Sequence, residues 1–293
     1  MLLPLLLLIV ATRSDPVPAP EFTPLRETAN SELQAGLEQV LVELKLQNAA
    51  KRKAVAVALA GISDLDCPRF AHVNGDHMMY AASLPKIAIL LAALRRDQDG
   101  ELTLTRKDTA SLRAMIRKSS NRDATRMLER VGREYVNELL QSEAYRLYDP
   151  GHNGGLWVGK PYSSEGAFER DPLHNLSHGA TAIQVARFFY LLETGHLLDP
   201  DHSARMKSIL VDPGIFHKFV AGLRRVRPRA QLYRKSGTWR EYHADAVLVE
   251  RTDGRRYIAV AMAHDRKGES WLRQLIVAID ALIDRAPPPC ADG

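Results

Sequence analysis

The run Ile87-Ala88-Ile89-Leu90-Leu91-Ala92-Ala93-Leu94 restricts the fold of this 293-residue chain more than any other feature. It offers no polar face, so a helix built from it must be buried on most sides. Just before it stands Tyr80-Ala81-Ala82-Ser83-Leu84-Pro85-Lys86. Pro85 suits a first helical turn, where its missing N–H has no intrahelical partner. Ser83 then falls at the helix N-terminus, beside free backbone N–H groups and the positive end of the helix dipole. Lys86, three residues on, shares its face. A buried lysine can lose its proton near neutral pH and act as a base. A serine hydroxyl needs such a base before it attacks. An ordinary serine N-cap has the same local pattern, so the rest of the chain must decide.

Apolar residues make up 45% of the chain, enough for a core in one large domain or two intertwined ones. The net charge of +5 is spread along the sequence. That balance suits an anionic small substrate or a cell-wall surface and argues against a nucleic-acid partner. The one basic run, Lys51-Arg52-Lys53, reads as a solvated lead-in to a strand. Leu2 to Val10 is apolar apart from Pro4 and too short to span a bilayer, so no stable membrane span is expected. It reads as the apolar part of a secretory signal, although no positive charge precedes it and no small-x-small site follows. Pro16, Pro18, Pro20 and Pro24 mark an extended spacer. Export, to the periplasm or outside the cell, is the expectation. Cys67 and Cys290 lack metal-ligand spacing. A disulfide and a free thiol in the Pro-rich tail both stay open.

Asn30 to Gln47 carries Leu33, Leu37, Val40, Leu41 and Leu44 at helical spacing. Ala54 to Ala60 reads as a buried strand, and Asn74-Gly75 signals a hairpin within Phe70 to Tyr80. Asp108 to Val131 is helical with a break at Lys118-Ser119-Ser120-Asn121, and Arg133 to Leu140 is a further helix. Tyr148 to Ser177 shows little periodicity, and a long structureless run in a compact domain is often functional. Thr181 to Glu193 and Asp201 to Leu210 are helices. Leu232 to Thr238, Ala244 to Glu250 and Tyr257 to Ala263 are strands, the last two joined at Asp253-Gly254. Trp271 to Ile283 is a closing amphipathic helix. The predicted fold is α/β in the α+β sense. One antiparallel sheet is built from both termini and flanked by helices, with an all-helical lobe inserted. The expected organisation is a leader and spacer over 1–24, one domain over 25–286 with its helical lobe at about 84–215, and a tail over 287–293.

Three short motifs line up in order: Ser83-x-x-Lys86, Ser119-Ser120-Asn121 and Lys235-Ser236-Gly237-Thr238. Their order and contexts resemble the active-site serine β-lactamases of class A and the related penicillin-binding proteins, whose second and third motifs usually read Ser-Asp-Asn and Lys-Thr-Gly. The resemblance spans roughly residues 30 to 285. It implies that Ser83 attacks the carbonyl of a strained lactam or a D-Ala-D-Ala peptide, with Lys86 as its base, alone or through a water. Ser119 would relay the proton to the leaving nitrogen, helped by Lys235. Asn121 would hold a substrate amide, and Gly237 would let substrate backbone lie close to the strand. The N–H groups of Ser83 and Thr238 would form an oxyanion hole. Lys235, Ser236, Thr238 and, more weakly, Arg240 would bind a substrate carboxylate. Taken singly, Lys235 also fits a strand-edge lysine that deters aggregation, and Asn121 a helix cap. No metal or organic cofactor is needed.

The departures from the family pattern bear on turnover. Only 36 positions separate Ser83 from Ser119, so the helical lobe should be trimmed. The family's loop pattern Glu-x-x-Leu-Asn, whose Glu drives deacylation, is absent. Glu165, Glu169, Asp171 and then Pro172-Leu173-His174-Asn175 stand there instead. Asp171 is the candidate by position and Glu169 by chemistry. His174 and His178 read as loop histidines, since no third metal ligand accompanies them. The resemblance thus implies an acyl-transfer serine hydrolase acting on β-lactams. The alternatives are a D-Ala-D-Ala carboxypeptidase, amidase or esterase, or a binding module without turnover.

Overall fold

The computed structural model describes residues 22–163 and 166–285. The apolar leader, most of the Pro-rich spacer, Glu165 and the tail with Cys290 lie outside the described residues. In chain order the first elements are α1 (Ser31–Glu43), α2 (Gln47–Lys51), β1 (Val55–Gly61), β2 (Arg69–Val73), β3 (Met79–Tyr80) and α3 (Lys86–Gln98). Next come α4 (Arg106–Arg117), α5 (Asn121–Val131), α6 (Arg133–Gln141) and the short strands β4 (Tyr148–Asp149), β5 (Gly154–Gly155), β6 (Trp157–Val158) and β7 (His178–Ala180). Then follow α7 (Ala182–Glu193), α8 (Pro200–Leu210), α9 (Lys218–Val226), β8 (Gln231–Trp239), β9 (Tyr242–Glu250), β10 (Arg256–His264) and α10 (Gly268–Arg285).

Strands from both ends of the chain form one antiparallel sheet in the order β2-β1-β10-β9-β8. Side chains alternate across a strand, so β1 sorts its residues onto two faces. Val55, Val57 and Leu59 join Leu37 and Leu41 of α1 and Leu272, Leu275 and Ile279 of α10. Ala56, Ala58 and Ala60 face the other way and join the core around α3 and α7. Small residues on that face let α7 lie close over β1 and β10. Every residue from Lys86 to Leu94 is buried, as the apolar run requires. Each buried Leu or Ile there contributes about 1.5–3 kcal/mol relative to exposure. Helix ends are capped locally: Asn30 Oδ1 accepts from Leu33 N at 2.8 Å, and Thr105 and Asp108 form a reciprocal capping box on α4.

Two local expectations are corrected, and one helix was not anticipated. Asn74-Gly75 is not a hairpin turn: β2 pairs with β1, and β3 pairs with the distant β7. Asn74 takes a left-handed φ of 53°, and its Nδ2 donates to Ala50 O at 2.7 Å and Val55 O at 2.9 Å, so the turn steers the chain out of the sheet. The stretch Tyr148 to Ser177 is not structureless, because β4 pairs with β5 and β6 with β7. These strands are two or three residues long and carry no readable alternation. Helix α9 was not legible. It is short, ends in arginines, and holds Gly222 where a Cβ would come within 2.7 Å of Arg273 O on α10. Among the described residues, no helix is long and apolar enough to cross a membrane.

Candidate active site

Ser83 sits in the tight connection from β3 to α3. Ala81 N donates to His178 O at 2.9 Å, Ala82 takes a left-handed φ of 51°, and Leu84 N donates back to Ala81 O at 3.0 Å. Strand β8 presses on this turn. A Cβ on Gly237 would meet Ala81 O at 2.0 Å and Ser83 N at 3.0 Å, so only glycine allows the approach. Gly237 is thus needed by the chain's own backbone, whatever it offers a substrate. Ser83 and Thr238 line one cleft of about 550 Å³, which also receives Asn121, Lys160, Tyr162 and His178. That volume suits a small molecule.

Lys86 is fully buried on the first turn of α3. Its Nζ donates to Ser119 O and Asn121 Oδ1, both at 2.7 Å, and lies 3.4 Å from Ser119 Oγ. None of these partners carries charge, and burial lowers the Lys86 pKa to about 7. The turn between α4 and α5 supplies those acceptors. Ser119 adopts a left-handed φ of 56°, while Ser120 caps α5 through Asp123. Ser119 Oγ is shared with Lys235, whose Nζ donates to it at 3.1 Å and to Ser236 O at 2.6 Å. Burial, reinforced by Lys86 and Arg234, holds the Lys235 pKa well below the usual lysine range. The three motifs therefore meet through one hydroxyl held between two lysines.

The far end of β8 is richer in cations than the sequence suggested. Arg234 forms a buried two-point pair with Asp245 at 2.6 and 2.7 Å. Lys218, at the start of α9, is wholly buried. Its Nζ donates to Gly237 O at 2.6 Å and Thr238 Oγ1 at 2.7 Å, and burial lowers its pKa to about 8. His217 Nε2 lies 3.3 Å from Ser236 Oγ. Lys86, Lys218, Arg234 and Lys235 are thus all buried in this region with Asp245 as the buried carboxylate among them. Lys218 and His217 escaped sequence reasoning because α9 did. Arg240 sits in the β8–β9 turn with a left-handed φ of 51°, its guanidinium over the ring of exposed Trp239, and does not line the cleft.

The loop across the cleft treats its carboxylates differently. Asp171 is buried and accepts from Tyr148 Oη at 2.9 Å, Leu173 N and His174 N at 3.1 Å, and Leu176 N at 2.8 Å. Both its oxygens are committed to the loop, and it does not line the cleft. Glu169 is exposed, with Oε2 accepting from Asn137 Nδ2 at 3.0 Å. Among the loop residues that line the cleft, Tyr162 lies against Lys86, with its ring centroid 4.5 Å from Nζ. His178 stacks on that ring at 4.2 Å and 5°. It is buried, and burial, then Lys86, lowers its pKa to about 3. His174 lies apart from it, its Nε2 3.0 Å from Asn153 Oδ1. Among the described residues, no group of three side chains could hold a metal.

The model of the Beta-lactamase enzyme family matches residues 42–111 and 108–284, most of the chain. The chain belongs to that family. It is an enzyme of the β-lactamase type. The family chain superposes on PBP-A with a TM-score of 0.67 at 19% identity, covering 91% of this chain and 100% of that one. It is also similar to a penicillin-G acyl-enzyme complex of a point mutant of PBP-A, with a TM-score of 0.66, 19% identity, and 90% and 100% of the two chains covered. A β-lactamase from Sphaerobacter thermophilus gives a TM-score of 0.65 at 17% identity over 87% and 98%. These structural likenesses establish the fold of the family member, not its substrate. No curated protein matches the chain.

Proposed function

We propose that this β-lactamase-family protein forms an acyl-enzyme on Ser83 with β-lactams. The observation that carries the reading is Lys86, a buried amine with a pKa near 7 that is joined through Ser119 to Lys235. Neutral Lys86 takes the Ser83 proton as Oγ attacks the lactam carbonyl. The N–H groups of Ser83 and Thr238 receive the developing oxyanion. The lactam C–N bond then breaks, and the nitrogen gains a proton by way of Ser119 Oγ, which Lys235 polarises. The basic side chains of Lys218 and Lys235 behind Ser236 and Thr238 support an anionic substrate. Lys218 holds the Thr238 hydroxyl from behind, and His217 holds that of Ser236. Asn121 spends its carboxamide oxygen on Lys86, so its NH₂ is the group left to meet a substrate amide. We read Leu2 to Val10 as an export signal, which N-terminal sequencing of the secreted protein would check.

Both described loop carboxylates are engaged away from Ser83, and this favours slow deacylation. It also favours a second reading, a D-Ala-D-Ala peptidase or a penicillin acceptor without efficient turnover. Fluorescent penicillin followed by a denaturing gel and intact mass tests the first step. Label on wild type and none on Ser83→Ala is the expected result. Label that survives Ser83→Ala, or none on wild type at any penicillin concentration, would sink it. Steady-state hydrolysis should run well below the enzyme median of about 10 s⁻¹.

A further inference from the structure

Lys86 has three N–H donors when protonated, and the protein meets them with Ser119 O, Asn121 Oδ1 and, more distantly, Ser119 Oγ. The ring of Tyr162 lies over Nζ at 4.5 Å, too close for a water to fit between. That ring is fixed from several directions. Pro161 precedes it, with its own φ fixed by the ring. Its hydroxyl lies 3.4 Å from Ala82 O, one residue before Ser83. The imidazole of His178 is stacked on it, and His178 is itself held by Ala81 N and by its pairing with Val158.

Hydrolysis of a Ser83 ester adds a water oxygen to the acyl carbon and breaks the acyl C–Oγ bond. One water proton ends on Ser83 Oγ, and the other stays with the released acid. That water needs a base within reach. We infer that Tyr162 is a positioning residue, a cap that denies Lys86 any water and so sets how long the Ser83 acyl-enzyme lasts. The inference rests on the acyl-serine reading. It adds that turnover is limited by a ring placed over Lys86, and not only by the engagement of Asp171 and Glu169 elsewhere in the loop.

Tyr162→Ala and Tyr162→Phe are compared with wild type in two measurements. Intact mass after a penicillin pulse and chase gives the acyl-enzyme lifetime. Acetylation of Lys86 by acetic anhydride across pH, read by peptide mass mapping, needs no substrate and reports hydration of the amine, with Lys235, Lys160 and His178 left in place. Tyr162→Ala should shorten the lifetime at least tenfold and move the acetylation midpoint upward from about 7, toward ordinary lysine. Tyr162→Phe should restore both toward wild type. If Tyr162→Ala does not fold, His178→Ala takes its place, and losing the stack should shorten the lifetime at least threefold. A folded variant that keeps both the wild-type lifetime and the wild-type midpoint overturns the cap. If wild type accepts no penicillin, the acyl-serine reading fails, and the midpoint alone decides. An upward shift in Tyr162→Ala then supports the cap, and an unchanged one overturns it.

Discussion

Lys86 and Asp171 are both buried ionisable side chains that tie separate segments together, yet they are satisfied in different ways. Lys86 holds the α4–α5 turn with neutral acceptors only and keeps a pKa near 7. Asp171 collects one hydroxyl and three backbone N–H groups. The first arrangement leaves a proton that can come and go at working pH. The second spends both carboxylate oxygens on shaping the loop. On the proposed reading, Lys86 serves proton transfer while Asp171 holds the loop still. The Arg234–Asp245 pair behind β8 shows the same rule: a buried cation given a two-point carboxylate is structural.

The contrast breaks most directly at Lys86. Lys86→Arg keeps the charge but cannot accept a proton. Acylation by a fluorescent penicillin should fall by about 10²–10⁴-fold, the usual worth of a positioned base. Wild-type acylation in that variant would make Lys86 a structural cation like Arg234.

The pH dependence sharpens the same point. Burial lowers the Lys86 pKa from 10.5 to about 7, so the amine is mostly neutral above that value and protonated below it. The acylation rate should be level above pH 8 and fall about tenfold per unit well below pH 7, as the neutral fraction does. Stopped-flow acylation from pH 5 to 9 checks the sign. A rate that rises as pH falls would contradict a neutral amine as base.

On the loop side, Asp171→Asn should act on stability. An amide NH₂ would replace one oxygen and face backbone donors, leaving a buried group unsatisfied at about 1–3 kcal/mol. Urea unfolding should show that loss, while the acyl-enzyme lifetime changes less than tenfold. A selective tenfold or greater lengthening of the lifetime, at unchanged stability, would return Asp171 to the chemistry.

How far the sequence reached follows from where each interaction is made. Ser83 and Lys86 share one turn, Ser119 to Asn121 one break between helices, and Lys235 to Thr238 one strand, so each motif is local and legible. Their meeting through Ser119 Oγ is tertiary, and only the resemblance to a family anticipated it. Asp171 stands at the family's spacing from Asn175, but spacing cannot tell which way a carboxylate turns. Here four donors turn it inward. Tyr162 and His178 carried no motif, and Lys218 lay in a helix too short and basic to read. The three central strands of the sheet, β1, β10 and β9, were legible because each is seven to nine residues long and carries spaced Val or Ile. The paired strands β3 and β7 were not, because two or three residues cannot show a period.

The smallest effect belongs to Glu169. Its side chain is exposed, and Oε2 accepts from Asn137 Nδ2 at 3.0 Å. Asn137 in turn holds β6, donating to Val158 O and accepting from Val158 N, both at 3.0 Å. In Glu169→Gln the amide oxygen can take the same Asn137 donor, so the contact survives and only charge is lost. An exposed charge of this kind is worth little to stability. Glu169 therefore supports the loop through Asn137 and has no route to the Ser83 ester except through its neighbours. Acyl-enzyme lifetime and stability should both stay within about twofold of wild type, an energy below the roughly 1.4 kcal/mol that a tenfold change requires. A lifetime lengthened tenfold in Glu169→Gln would mean that this carboxylate swings into the cleft once Ser83 is acylated. The division between a proton-transferring side and a rigid side would then fail for the acylated state.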